Sequence, residues 1–173
     1  YRKVSSFSGP QVTKAAFLDE MERASVFHYA GHSAHDAADP LRSSILLDGD
    51  QGGPNSVTAV DIVGHKLQPN ALVVLSSCDS SVGNSKDGIG IRGLTSAFLI
   101  GGAGAVVGSL WPVESTSTSD LMIGFHKSFA QDRLPVAKAL RKAQLDFISG
   151  NPKRSHPYYW SGFVVTANFS ALR

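Results

Sequence analysis

"ALVVLSS", residues 71–77, opens with five apolar residues in unbroken succession. A run of strand length that does not alternate suits a strand covered on both faces, the habit of a parallel sheet packed between helices. Downstream, Leu94, Ala97, Phe98 and Gly101 recur at i, i+3, i+4 and i+7, which predicts a helix stopped by Gly101-Gly102, followed by a strand in "AGAVVGSLW" (103–111) that Pro112 ends. Ser117 with Asp120 three residues on fits a capping box for a helix presenting Leu121, Phe125, Ser128 and Phe129 on one face. A further helix begins near Pro135, carries Val136, Ala139, Leu140, Ala143 and Phe147 on its inner stripe, and closes at Gly150 and Pro152; "SGFVVTAN" (161–168) is the last strand. Upstream of the opening stretch stand a helix at about 57–65 and a long excursion rich in Gly, Asp and Pro over 33–56, with a short strand at "SILLD". Before these come a strand "SVFHYA" (25–30) that stops at Gly31 and a helix over about 12–24. Strand-length apolar runs alternating with helical periods predict an α/β domain whose mainly parallel sheet has helices on both faces.

Composition narrows the function classes. With 173 residues, 42% of them apolar and 17% charged, the chain reads as one packed domain and not as a disordered tail. The net charge is +2 and the basic residues form no block or aromatic-studded stripe, which argues against nucleic-acid contacts. The longest weakly polar run, 97–111, is shorter than the roughly 18 residues of a membrane helix and is interrupted by glycines, so no membrane span is expected. A single cysteine excludes an internal disulfide and favours a reducing compartment, the cytoplasm. The first residue is Tyr1, without an initiator Met or a leader, so the sequence reads as a piece of a longer chain.

That cysteine, Cys78, stands just past the end of the 71–77 strand, and His32 stands just past the 25–30 strand. Reactive sites of open α/β sheets lie beyond the carboxyl ends of the strands. If the two strands are parallel neighbours, about 4.8 Å apart, an imidazole and a thiol project over the same edge. A free thiol near pKa 8.5 is little ionised at neutral pH, and a neighbouring His raises the thiolate fraction or accepts the proton. Backbone N–H groups at the strand ends, those of Ser33 and Cys78, are suited to hold the oxyanion of an acyl transfer. A lone Cys beside an apolar run is also commonly a small buried hydrophobe. Against that stands "DSSVGNSKDG" (79–88), a polar, small-residue segment that makes Cys78 border a loop.

Other patterns are weaker. "GIGIRG" (88–93) satisfies G-x-G-x-x-G, but no strand directly precedes its first Gly, so a dinucleotide site is not expected. His28, His32 and His35 have metal-like spacing, yet lie in and after a strand, where a core or supporting role for His28 fits better than a ligand set. His126 and His156 are read as surface or packing residues, and the aromatic cluster Tyr158, Tyr159 and Trp160 as packing.

"FHYAGHS" (27–33), "LVVLSSCDSS" (72–81), "GLTSAFLIGGAGAVVGSLWPVESTST" (93–118), "ALRKAQLDF" (139–147) and "HPYYWSGFVV" (156–165) resemble, in this order, the CHAT domain. That family is a caspase-like and separase-like module often joined to tetratricopeptide repeats. The resemblance implies a three-layer caspase-like sandwich and a cysteine endopeptidase of the caspase, separase and gingipain clan. His32 would be the catalytic His and Cys78 the nucleophile, with no obligatory third acid, no cofactor and no metal. The N–H groups of Ser33 and Cys78 would form the oxyanion hole, Ser33 standing where the family commonly has Gly. Ser76, Asp79 and the segment around Trp111 would wall the substrate pocket, an acidic Asp79 suggesting a basic P1 residue. The resemblance also implies strands upstream of the first helix that a chain beginning at Tyr1 lacks. Its partners would be a protein substrate and a regulatory tetratricopeptide repeat domain in the full-length chain or complex, with neither nucleic acid nor membrane. The alternatives are a catalytically silent scaffold in a signalling assembly, and a cysteine-dependent acyl transferase.

Overall fold

The computed structural model describes residues 1, 3–36, 38–48, 55–79, 89–112, 114–150 and 154–168, with side chains at all of these but 78, 79 and 89–92. Residues 71–75 are buried and lead into strand β4 (Leu72–Asp79). Successive strand side chains point to opposite faces. Val73 and Leu75 therefore pack with Phe17, Met21, Ile62, Leu94 and Phe98 on one side, whereas Leu72 and Val74 pack with Leu121, Phe125, Leu140 and Phe163 on the other. Burial from both sides is why this stretch shows no alternation.

The sheet is completed by β1 (Val26–Ala34), β2 (Ser44–Leu46), β3 (Ser56–Thr58), β5 (Ala105–Ser109) and β6 (Phe163–Ala167), in the spatial order β3-β2-β1-β4-β5-β6. The central pairings, β1 with β4 and β4 with β5, are parallel; β2, β3 and β6 are added antiparallel outside them. Helices α1 (Lys14–Arg23), α2 (Ala59–Val63) and α3 (Ile89–Ile100) contribute to the first core, α4 (Ser115–Ala130) and α5 (Val136–Gly150) to the second. The expected α/β sandwich, a sheet between two helical layers, is the fold observed.

Local chemistry accounts for the helix ends. Thr13 caps α1 through the Ala16 N–H, and Thr58 and Asp61 form a reciprocal capping box on the short α2. Past α3, Gly102 takes φ +109°, a conformation that glycine adopts without strain, and turns the chain into β5. Two expectations are corrected. The α4 helix starts at Ser115, not after a Ser117 cap: Glu114 accepts hydrogen bonds from the Thr116 and Ser117 N–H groups, both at 2.8 Å, while Ser117 is buried and its Oγ accepts from Arg154. Strand β1 does not stop at Gly31 but runs on to Ala34, with His32 and Ser33 paired with both β2 and β4.

Candidate active site at the carboxyl edge of the central strands

The order of the sheet reverses at β1, because the chain first adds β2 and β3 on one side and then crosses to lay down β4, β5 and β6 on the other. Open α/β sheets bind ligands at such a switch point, where connections leave the carboxyl ends of neighbouring strands in opposite directions and open a crevice. At this switch point the parallel register makes His32 the partner of Cys78 and Ser33 the partner of Asp79. Adjacent strands are about 4.8 Å apart, so positions 32 and 78 stand side by side. The β4–β5 register ends at Leu75 and Gly108, and β4 continues beyond it along β1. His32 is exposed.

Both positions lie within paired strand and not past its end, as the sequence had suggested. Ser33 is the Cα partner of Ile45 as well as of Asp79, so its backbone sits between two ladders. Its side chain is buried, and Ser33 Oγ donates to Ser77 Oγ at 3.1 Å. Ser77 is tied in turn to the end of β5, where Ser109 Oγ donates to its carbonyl at 3.3 Å.

Of the residues expected to wall a pocket, Ser76 and Trp111 have described side chains. Ser76 is buried, and its Oγ lies 2.9 Å from His28 Nε2. Trp111 is half-buried against the second core, its Nε1 donating to the Tyr158 carbonyl at 3.2 Å in the short 3-10 turn Pro157–Tyr159. The side chains of Cys78 and Asp79 lie outside the described residues. Gly88 of the "GIGIRG" segment also lies outside the described residues, and the rest of that segment opens α3.

The histidines divide sharply. His28 Nδ1 lies 3.0 Å from His126 Nε2 on α4, and His126 Nδ1 lies 2.6 Å from the Tyr1 hydroxyl. Ser76, His28, His126 and Tyr1 thus form one continuous hydrogen-bonded chain on the face carrying α4. His28 as a residue remains exposed, yet desolvation of its ring among these partners, aided by the neighbouring His126, pushes its pKa down to about 4. Burial also lowers that of His126 and raises that of the Tyr1 phenol. His35, following β1, has an enclosed Nδ1 that meets no hydrogen-bonding partner among the described residues. Among those residues no group of three His, Cys, Asp or Glu side chains is arranged to hold a metal ion, and no helix is long and apolar enough to cross a membrane. Sequence reasoning missed His126 as a partner of His28. The only local signal was the strand parity that puts His28 on the same face as His32.

The chain matches the CHAT domain family over residues 2–168. It is 36% identical over 110 residues to tetratricopeptide repeat protein 28 of Homo sapiens and 29% identical over 109 residues to tetratricopeptide repeat protein 28 of Mus musculus. Each match covers 63% of this chain and only 4% of the relative's length. With a match across nearly its whole length and a sheet that is parallel at its centre between two helical layers, the chain belongs to the CHAT domain family and has its caspase-like α/β fold.

Proposed function

We propose that the chain is a cysteine-type endopeptidase domain, with Cys78 as nucleophile and His32 as general base, cutting one or few partner proteins under the control of a tetratricopeptide repeat domain. The observation that supports this most strongly is the register of β1 on β4, which sets these two positions opposite each other at the switch point of a CHAT-family sheet. His32 would take the thiol proton, and the thiolate would attack the scissile carbonyl carbon. The tetrahedral intermediate would then expel the amine as His32 returns the proton, and water would hydrolyse the acyl-enzyme. Asp79, one residue past the nucleophile, would favour a basic residue at P1.

The N–H groups of Ser33 and Cys78 are the proposed oxyanion donors. Both belong to the paired stretch of β1 and β4, so this role requires the last pairs of the ladder to part. Such a site is latent until opened, a task suited to the repeat domain that the names of the relatives imply. The same pairing favours a second reading, a catalytically silent interaction module in which the ladder never opens.

The test is a peptide library varied at P1, with Cys78→Ala as control, alongside a thiol-directed electrophilic probe. Cleavage that Cys78→Ala abolishes supports the endopeptidase. Probe labelling that is fast near neutral pH and slowed by His32→Ala, without cleavage, supports a latent protease. A thiol that reacts at the rate of a free cysteine and ignores His32→Ala sinks the dyad and leaves the scaffold.

A further inference from the structure

We propose that Tyr29 is a positioning residue for His32, its phenol oxygen acting as a bracket between β1 and β2 that fixes the backbone from which the imidazole projects. The inference deepens the proposed function and rests on it.

In an antiparallel pair such as His32 with Leu46, facing N–H and C=O groups ordinarily bond to each other directly. Here the Tyr29 phenol also bonds to both members of the pair. Tyr29 Oη accepts from the His32 N–H at 3.0 Å and lies 2.5 Å from the Leu46 carbonyl and 3.0 Å from the His32 carbonyl. A phenol has one proton to give, and the shorter contact takes it, so the hydroxyl relays the ladder bond from residue 32 to residue 46. Burial pushes the Tyr29 phenol above its ordinary pKa, which keeps that proton in place.

The space for this bracket is reserved in the sequence. Gly31 lies beneath the ring: a Cβ there would come within 2.3 Å of Tyr29 Oη and 2.6 Å of its Cζ. Any other residue at position 31 would push the phenol off the ladder. The ring is held from behind by Phe17 of α1, with centroids 5.9 Å apart and an edge-to-face angle of 70°. The first helix, the Tyr29 ring and the backbone at residue 32 are therefore mechanically continuous. A phenylalanine at position 29 would fill the same core volume, but it would leave the His32 N–H and the Leu46 carbonyl without their relay.

The experiment compares wild type, Tyr29→Phe, Gly31→Ala and His32→Ala by the rate at which iodoacetamide alkylates Cys78, the sole thiol, over a pH series, together with hydrogen exchange at the His32 amide. His32→Ala is expected to slow alkylation near neutral pH by about tenfold, and Tyr29→Phe and Gly31→Ala by about threefold or more, with profiles displaced towards that of His32→Ala. The His32 amide should exchange about tenfold faster in Tyr29→Phe than in wild type. If His32→Ala slows the reaction while both other variants superimpose on wild type, the bracket is overturned and the dyad stands. If His32→Ala itself changes nothing, the dyad reading fails, and amide exchange alone judges the bracket. Equal exchange in wild type and Tyr29→Phe overturns it, and faster exchange in a variant that still melts cooperatively upholds the contact. Should Tyr29→Phe fail to fold, Gly31→Ala, which keeps the hydroxyl and removes its space, decides by the same two readouts.

Discussion

His126 of α4 and His28 of β1 hold their ring nitrogens 3.0 Å apart. One imidazole must accept from the other, so the bond requires that at least one ring be neutral. The ring of His28 is held down to about pKa 4, chiefly by burial and secondly by His126, whose own pKa burial lowers. In the unfolded chain these rings titrate near 6.5, so between about 4 and 6.5 the unfolded state binds more protons than the folded one. Stability from this pair is therefore complete above about pH 6.5, declines as the pH falls through that window, and levels off near 4.

Thermal melts at pH 7 and pH 4.5 are expected to differ in the direction of lower stability in acid. The His28 contribution is on the order of 1–2 kcal/mol, reduced from the full linkage value because the residue is exposed and its charge screened. His28→Gln should flatten the profile in this window; an unchanged acid slope would remove the pair as its cause.

A separate and more acidic transition belongs to Glu114. Its carboxylate accepts from Ser117 and Thr116 at the start of α4, and those bonds hold its pKa down to about 2. The capping contribution is present above the ordinary carboxylate range and is lost as the pH falls through the folded value. Glu114→Ala should cost about 1 kcal/mol in urea denaturation at neutral pH. Ser117→Ala should weaken the same cap, through the lost side-chain bond to Glu114, and also remove the acceptor for Arg154.

Two glycines should respond oppositely to alanine. At Gly93 of α3 a Cβ would come within 2.1 Å of the Pro40 carbonyl oxygen, a backbone atom that gives way only if the 3-10 turn Pro40–Arg42 shifts, and Gly93→Ala should cost roughly 1–3 kcal/mol. At Gly150, the last residue of α5, a Cβ meets nothing within 4 Å, and the φ angle there is not positive. Gly150→Ala should stabilise by about 0.5–1 kcal/mol through helix propensity and a less flexible unfolded chain. Chemical denaturation of the two variants in parallel checks both signs.

The sequence was most legible where burial alone dictates it. The 71–75 run and the inner stripe Ala139, Leu140 and Ala143 are buried because a strand between two helical layers, or the inner face of a helix, tolerates little else. Strands β2 and β3, three residues each, are too short to show a period, and β3 falls where a helix was expected to begin. The end of β1 was misplaced because glycine ordinarily breaks strands, whereas Gly31 serves to make room for Tyr29. In "ESTSTSD" (114–120) several side chains are able to cap, and only tertiary contacts separate Glu114, which faces the helix end, from Ser117, which faces Arg154. Of the candidate site, His32 and Cys78 could be set on neighbouring strand ends from the chain pattern. The contact of His28 with His126, 98 residues away, has no local signature beyond the strand parity of His28.

Strands β1 and β4, which share the longest ladder of the described sheet, pair residues 46 apart in sequence, such as His32 with Cys78. Closing so large a loop sacrifices chain entropy before any pairing returns it, and topologies dominated by distant contacts fold slowly for that reason. Pairing at the centre of this sheet is therefore expected to follow formation of the local helices. A nascent chain cannot complete it until the β4 segment has left the ribosome.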